Sequence, residues 1–113
     1  LIVENDPKLN RRLSCCFSAA GYETSSLTDP ANLLEMIHTQ HPDIMVINEI
    51  LPGISGSSIA ANLASFTTAS GISIVLYDGS GLHRPDTKFT NVARYVPKQT
   101  PPDLLKAVAA VEG

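Results

Sequence analysis

Residues 44–53 read Ile-Met-Val-Ile-Asn-Glu-Ile-Leu-Pro-Gly, and this stretch decides the fold of the chain. Its first four residues are all apolar, so they do not alternate between a buried and an exposed face. An unbroken run of this kind is typical of a strand that helices cover on both faces, as in a parallel sheet. Asn48 ends the run, and Pro52-Gly53 is a turn signal that follows it closely.

Strand-like and helix-like segments alternate five times along the chain. Residues 1–3 and 72–77 are further apolar runs, whereas residues 22–26 form a more polar strand and residues 95–96 a brief one. Five such units predict an α/β domain with a doubly wound, five-stranded parallel sheet and helices on both of its faces.

The helix starts are marked by an acidic or hydroxyl residue followed by proline or glycine, which suits an N-cap and a first helical position. Four predicted helices begin at such pairs: Asp6-Pro7, Asp29-Pro30, Ser55-Gly56 and Thr100-Pro101. Another, short helix is predicted to start near Pro85. The predicted buried faces are Leu9, Leu13, Cys16 and Ala20 in the first helix, Leu33, Leu34 and Ile37 in the second, Ile59, Leu63 and Phe66 in the third, and Leu104, Leu105, Val108 and Val111 in the last.

The composition indicates one globular domain over residues 1–113, with 43% hydrophobic residues, 5% aromatic residues and no Trp. No apolar run approaches a membrane span of about 18 residues. The net charge is −3 and no basic stripe is visible, so we expect neither a membrane nor a nucleic-acid partner. Two adjacent cysteines without a third favour a cytoplasmic setting. The chain opens on an apolar strand without an initiator Met, and we expect it to belong to a longer multidomain protein.

Functional groups of a doubly wound sheet lie at the carboxyl ends of its strands. Those ends hold Glu4, Asn5, Asn48, Tyr77 and Lys98. The flanking sequences are Leu-Ile-Val-Glu-Asn-Asp-Pro, Gly-Tyr-Glu, Pro-Asp-Ile-Met-Val-Ile-Asn, Leu-Pro-Gly-Ile-Ser-Gly and Tyr-Val-Pro-Lys, in that order. With this ordered set the chain resembles the response-regulator receiver domain, the CheY-like module of two-component signalling, over its whole length.

The resemblance implies the strand order 2-1-3-4-5 and a phosphorylation pocket. In the family, two acids after the first strand and an aspartate after the third hold Mg²⁺, and that aspartate accepts the phosphoryl group. A Ser or Thr after the fourth strand and a Lys after the fifth contact the phosphoryl oxygens. The corresponding residues here are Glu4, Asn5, Asn48, Tyr77 and Lys98, with Ile50 as the backbone-carbonyl ligand of the metal.

Only Lys98 keeps the family's residue type. Asn48 lacks the carboxylate that attacks phosphorus, and Asn5 removes a second charge. Glu4 is a methylene too long for a demanding octahedral ion, so we expect Mg²⁺ binding to be very weak or absent, and no other cofactor. Tyr77 puts a ring where a small hydroxyl belongs, either filling the pocket or swinging to the surface. Lys98 is expected to pair with Glu4 or to bond the Asn48 amide oxygen, because a buried lysine needs a partner.

These departures favour a pseudo-receiver, a non-enzymatic module that acts by protein–protein interaction. Its partner, an attached output domain or a second copy, would use the face of the fourth helix, fifth strand and fifth helix, about residues 84–111, where Tyr95 holds the family's switch position. One alternative is a receiver that is still phosphorylated, through deamidation of Asn48 or at Asp78. Another is a flavodoxin-type ligand module, which the acids Glu4 and Asp6 disfavour where a phosphate-cradling loop would lie.

Overall fold

The computed structural model describes residues 1–64, 71–78, 92–97 and 100–112. The helices and strands in these residues are β1 (Ile2–Val3), α1 (Pro7–Ala19), β2 (Ser26–Leu27), a 3-10 turn (Pro30–Asn32), α2 (Leu33–Gln40), β3 (Ile44–Asn48), β4 (Ile50–Leu51), β5 (Ile54–Ser55), α3 (Gly56–Leu63), β6 (Ser73–Tyr77), β7 (Val92–Val96) and α4 (Pro101–Glu112). In this part of the chain, no helix has the length and apolar character needed to cross a membrane.

Five strands form one parallel sheet in the order β2-β1-β3-β6-β7. Because β4 and β5 form a separate hairpin, β6 and β7 are the fourth and fifth strands of this sheet. The order is therefore the predicted 2-1-3-4-5, and the predicted α/β class is confirmed. The central strand β3 pairs with β1 through Val46 opposite Ile2, and with β6 through Val46 opposite Val75.

The apolar run of β3 lies between two halves of the core, as its lack of alternation predicts. Met45 and Ile47 point into a cluster with α2 and α3, whereas Val46 points into a cluster with α1 and α4. Successive side chains of a strand point to opposite faces, so a strand covered on both sides needs apolar residues at every position. All three side chains are buried.

The predicted helix starts are confirmed at three N-caps. The carboxylate of Asp6 accepts from the backbone N–H of Lys8 at 3.0 Å, and Asp29 accepts from Ala31 at 3.0 Å. The hydroxyl of Ser55 accepts from the backbone N–H of Ser58 at 3.1 Å. These bonds satisfy N–H groups that the first turn of a helix leaves without a partner.

The predicted buried face of α1 is wrong in part. Asn10, Leu13 and Phe17 are its buried residues, whereas Ala20 is exposed. The side-chain amide of Asn10 donates to the backbone oxygens of Glu4 and Leu27, both at 3.0 Å. These bonds hold the polar Asn10 against the sheet. The buried face of α1 is therefore rotated slightly from the apolar face that the sequence predicts.

In the second helix, Leu34 was predicted to be buried and is 48% exposed instead. The second strand is Ser26–Leu27 rather than residues 22–26, and the fifth is Val92–Val96 rather than residues 95–96. Both lie at an edge of the sheet, where pairing with a single neighbour decides the bounds. The hairpin of β4 and β5 was not predicted. The short helix expected near Pro85, and Phe66, lie outside the described residues.

Gly56 allows the first turn of α3 to pack against the end of β3. A Cβ atom on Gly56 would lie 2.6 Å from the backbone oxygen of Asn48 and 3.1 Å from the Cα atom of Glu49. The backbone N–H of Gly56 also donates to the oxygen of Glu49 at 3.0 Å. Only glycine permits this approach without moving the backbone that carries Asn48.

We predict that Gly56→Ala lowers the free energy of unfolding by about 1–3 kcal/mol, because the added methyl group overlaps backbone atoms. Intrinsic helix propensity alone predicts the opposite sign. Urea unfolding followed by circular dichroism measures the change, and Ala109→Ser, which adds one atom to the exposed side of α4, is the control. Unchanged or increased stability of Gly56→Ala would contradict this packing.

Candidate functional site

The carboxyl ends of β1, β3 and β6 bring together three of the predicted pocket residues. Asn48 is paired in register with Tyr77 across β3 and β6, and Glu4 directly follows β1. All three are buried, with Glu4 1% and Tyr77 0% exposed. The loss of water around a carboxylate is unfavourable unless hydrogen bonds replace it, so the partners of Glu4 determine what this site can do.

Both carboxylate oxygens of Glu4 accept hydrogen bonds. Oε1 accepts from the Tyr77 hydroxyl at 2.6 Å and from the Asn48 amide at 2.9 Å. Oε2 accepts from the backbone N–H of Asp6 at 2.8 Å, within the turn that leads into α1. Hydrogen bonds to both oxygens replace the water that this buried carboxyl group has lost.

The other end of the Asn48 amide is also engaged. Its Oδ1 atom accepts from the backbone N–H of Ile50 at 2.9 Å, which holds the side chain over the start of the β4–β5 hairpin. Asn48 thus donates to Glu4 and accepts from Ile50, a pattern that an amide can make and an ionised carboxylate cannot.

Tyr77 fills the pocket, one of the two orientations left open by the sequence. Its ring packs in the core cluster on the α1 and α4 side of the sheet, among Ile2, Val75 and Leu104. Burial first, and then the hydrogen bond and charge of Glu4, raise the pKa of Tyr77 well above its ordinary value. The hydroxyl therefore remains a donor to Glu4 across the ordinary pH range.

The other predicted site residues, Asn5, Lys98 and Tyr95, have different outcomes. Asn5 is exposed, and no hydrogen bond links it to Glu4 or Asn48 within the described part of the chain. Lys98 lies outside the described residues, so its expected bond to Glu4 or Asn48 stays a prediction. Tyr95 is half-buried and packs against the core cluster on the α2 and α3 side.

Two contributors to the site were missed by the sequence reasoning. Asn10 holds the backbone oxygen of Glu4 from α1, although its only sequence signal is a polar residue next to the apolar stripe. Glu49 is buried and faces the start of α3, where its Oε1 atom accepts from the Ser57 hydroxyl at 2.7 Å. Its Oε2 atom is buried without a hydrogen-bond partner among the residues that the structure describes. Alternation along the strand predicts that Glu49 points away from Asn48, and this signal was available.

The family model for the response regulator receiver domain matches residues 1–110 of this chain. The chain therefore belongs to the receiver domains of two-component response regulators. The fold is shared with solved CheY-like structures of low sequence identity. The receiver domain from Methylobacillus flagellatus has a TM-score of 0.82 at 16% identity, with 97% of this chain and 94% of that chain covered. The response regulator TrrA from Thermotoga maritima, solved in complex with Mg²⁺ and BeF, has a TM-score of 0.80 at 22% identity, with 97% and 94% covered.

Of two curated relatives, one is named as a DNA-binding response regulator and the other as a probable transcriptional regulator. The DNA-binding response regulator MtrA of Mycolicibacterium smegmatis is 28% identical over 76 residues, which cover 67% of this chain and 32% of that protein. The probable transcriptional regulator ycf27 of Galdieria sulphuraria is 27% identical over 63 residues, covering 56% and 25%. The matched part thus spans about a third of the first relative and a quarter of the second.

We predict that Tyr77→Phe lowers the free energy of unfolding by about 1.5–3 kcal/mol, because it removes a buried hydrogen bond to a charged group. Urea unfolding at neutral pH measures the loss. Tyr22→Phe is a matched control, since the Tyr22 hydroxyl donates to Glu112 at 2.8 Å on the exposed surface, where water replaces the bond. A loss of the same size in both variants would contradict a special role for the buried hydroxyl.

Proposed function

We propose that this receiver domain is a pseudo-receiver, which signals through protein–protein contact and accepts no phosphoryl group. The observation that carries the proposal is the closed cluster of Glu4, Asn48 and Tyr77. The side chain at the acceptor position is an amide, and it already donates to Glu4 and accepts from Ile50. An amide nitrogen is not a nucleophile at neutral pH, so no aspartyl-phosphate can form on Asn48.

We further infer that the pocket does not hold Mg²⁺. This ion demands near-octahedral oxygen coordination, usually with one or two carboxylates. The single carboxylate of the cluster, on Glu4, has both oxygens engaged by Tyr77, Asn48 and Asp6. Among the described residues, no group of three or more His, Cys, Asp and Glu side chains could hold a metal ion. The residues present therefore do not fit the ion that phosphorylation in this family uses.

The proposed partner is another protein or an attached output domain. It would bind the face that, in the family's numbering, consists of the fourth helix, the fifth strand and the fifth helix; the last two correspond to β7 and α4 here. In the described residues this face comprises β7 and α4. Ala93 and Arg94 of β7 are exposed, and Tyr95 lies beside them. The names of the two relatives, a DNA-binding response regulator and a probable transcriptional regulator, support an attached output domain that binds DNA. We also propose a cytoplasmic location. A second copy of the domain could use the same face.

Two routes to phosphorylation conflict with the contacts. Deamidation of Asn48 requires the backbone nitrogen of Glu49 to attack the side-chain amide, but this N–H donates to the Tyr77 oxygen at 2.8 Å within the sheet. A substitute acceptor at Asp78 requires access by a phosphodonor, and Asp78 is 1% exposed. A flavodoxin-type ligand site has less support still, because Glu4 and Asp6 place two carboxylates where a phosphate would lie.

Treatment with acetyl phosphate and Mg²⁺, followed by intact-mass analysis, tests the proposal. We expect no phosphoryl group on the native chain, and none on Asn48→Asp alone. In that single variant Tyr77 would still fill the pocket, and the oxygens of Glu4 would still be engaged by Tyr77 and the backbone of Asp6. Only the triple variant with Asn5→Asp and Tyr77→Thr is expected to be phosphorylated.

Circular dichroism of each variant is the control for folding. A phosphoryl group on the native chain would overturn the proposal. If the Asn48→Asp variant alone became phosphorylated, the amide at position 48 would be the only feature that prevents phosphorylation. The other pocket residues would then still support the reaction.

A further inference from the structure

A surface groove lies between α2 and α3. Its lining is mostly apolar, unlike the polar cluster around Glu4. It has a volume of about 710 Å³. Its apolar lining is Leu33, Leu34, Pro52, Ile54, Ile59 and Leu63. We call it the α2–α3 groove. Every residue that lines it belongs to the described part of the chain, and its volume falls within the range of sites that bind ligands, about 300–1,000 Å³.

One apolar side chain that lines the groove, that of Leu34, is exposed to solvent. Leu34 and Ile50 are the only large hydrophobic residues among the described ones that are exposed, at 48% and 47%. Of these two, Leu34 lines the groove, next to the buried Leu33. Single exposed leucines are ordinary, but an exposed leucine at the mouth of an apolar groove is typical of an interaction site.

Asp29 is the only charged residue among those that line the groove. All eight Lys and Arg residues lie within positions 8–12 or 84–106, so residues 13–83 contain none, although they contain six Asp and Glu residues. The elements that form the groove all belong to this cation-free stretch. Asp29 lines the groove, and Glu35, which follows Leu34 in the sequence but does not line the groove, is exposed. The last turn of α3, at Leu63, adds the negative end of a helix.

We propose that the α2–α3 groove binds a protein segment that combines apolar anchors with flanking Lys or Arg residues, as a basic amphipathic helix does. Apolar anchors at helical spacing are the usual occupants of a groove between two helices. A lining whose only charged residue is Asp29 favours a basic partner over an acidic one. The residues that line this groove include neither the members of the polar cluster nor any residue of β7 or α4, so the proposal goes beyond the proposed function.

The probe is a synthetic helical peptide of about 14 residues with Leu at positions i, i+3, i+4 and i+7 and Lys elsewhere. A second peptide replaces every Lys by Glu. Each is titrated into the ¹⁵N-labelled chain while amide chemical shifts are recorded. We expect the Lys peptide to cause saturable shifts at Leu34, Ile54 and Leu63, and the Glu peptide to cause none at the same concentrations.

Two pairs of variants separate specific docking from general attraction. Leu34→Ser should weaken binding by about tenfold, because it removes an anchor contact, whereas Ile50→Ser should not. Asp29→Asn should weaken it about two- to fivefold, as expected for an exposed rim charge. Asp43→Asn is the control, since Asp43 is also exposed but precedes β3 at the other end of the sheet.

The remaining outcomes would overturn the proposal. Equal shifts with both peptides would mean that the groove binds apolar side chains without selecting a basic partner. Shifts confined to β7 and α4, or no saturable shift with the Lys peptide, would exclude this groove as its site. Shifts in the groove that grow with protein concentration in the absence of peptide would make a second copy of the chain the occupant.

Discussion

The buried carboxylate of Glu4 at the carboxyl end of β1 is the group that the rest of the polar cluster depends on. Its oxygens accept from Tyr77, Asn48 and the backbone of Asp6, and its own backbone oxygen is held by Asn10. Loss of a single partner would leave part of a buried charge without compensation, which is far more unfavourable than loss of an exposed bond. The same contacts tie α1, β1, β3 and β6 together at one point.

This arrangement explains why the departures from the family pattern occur together. In a working receiver the pocket is acidic and open, and a metal ion compensates the carboxylates. Here two neutral side chains, the hydroxyl of Tyr77 and the amide of Asn48, take over that compensation from within the protein. The domain keeps the receiver fold, and Glu4, Asn48 and Tyr77 are buried within it. In the proposed function, regulation depends on surfaces, and the α2–α3 groove is one candidate.

Features with local or periodic causes could be predicted from the sequence. The unbroken run before Asn48 indicated a strand covered on both faces, and the N-caps at Asp6 and Asp29 need only neighbouring residues. Long-range contacts could not be predicted. The Tyr77 hydroxyl finds its partner 73 residues away, so the sequence alone left open whether the ring is buried or exposed. The exposure of Leu34 likewise depends on what packs above α2, and its periodicity is that of a core residue.

The most direct test of the closed pocket is a titration of the ¹⁵N-labelled chain with Mg²⁺ and beryllofluoride, which mimics the phosphoryl group on a receiver aspartate. The side-chain amide of Asn48 and the backbone amides of Asp6 and Ile50 report on the cluster. The account predicts no saturable shift at these three sites at concentrations that saturate a phosphorylatable receiver. Saturable shifts centred on Asn48 would mean that the pocket opens to the metal and the anion, and would contradict the account.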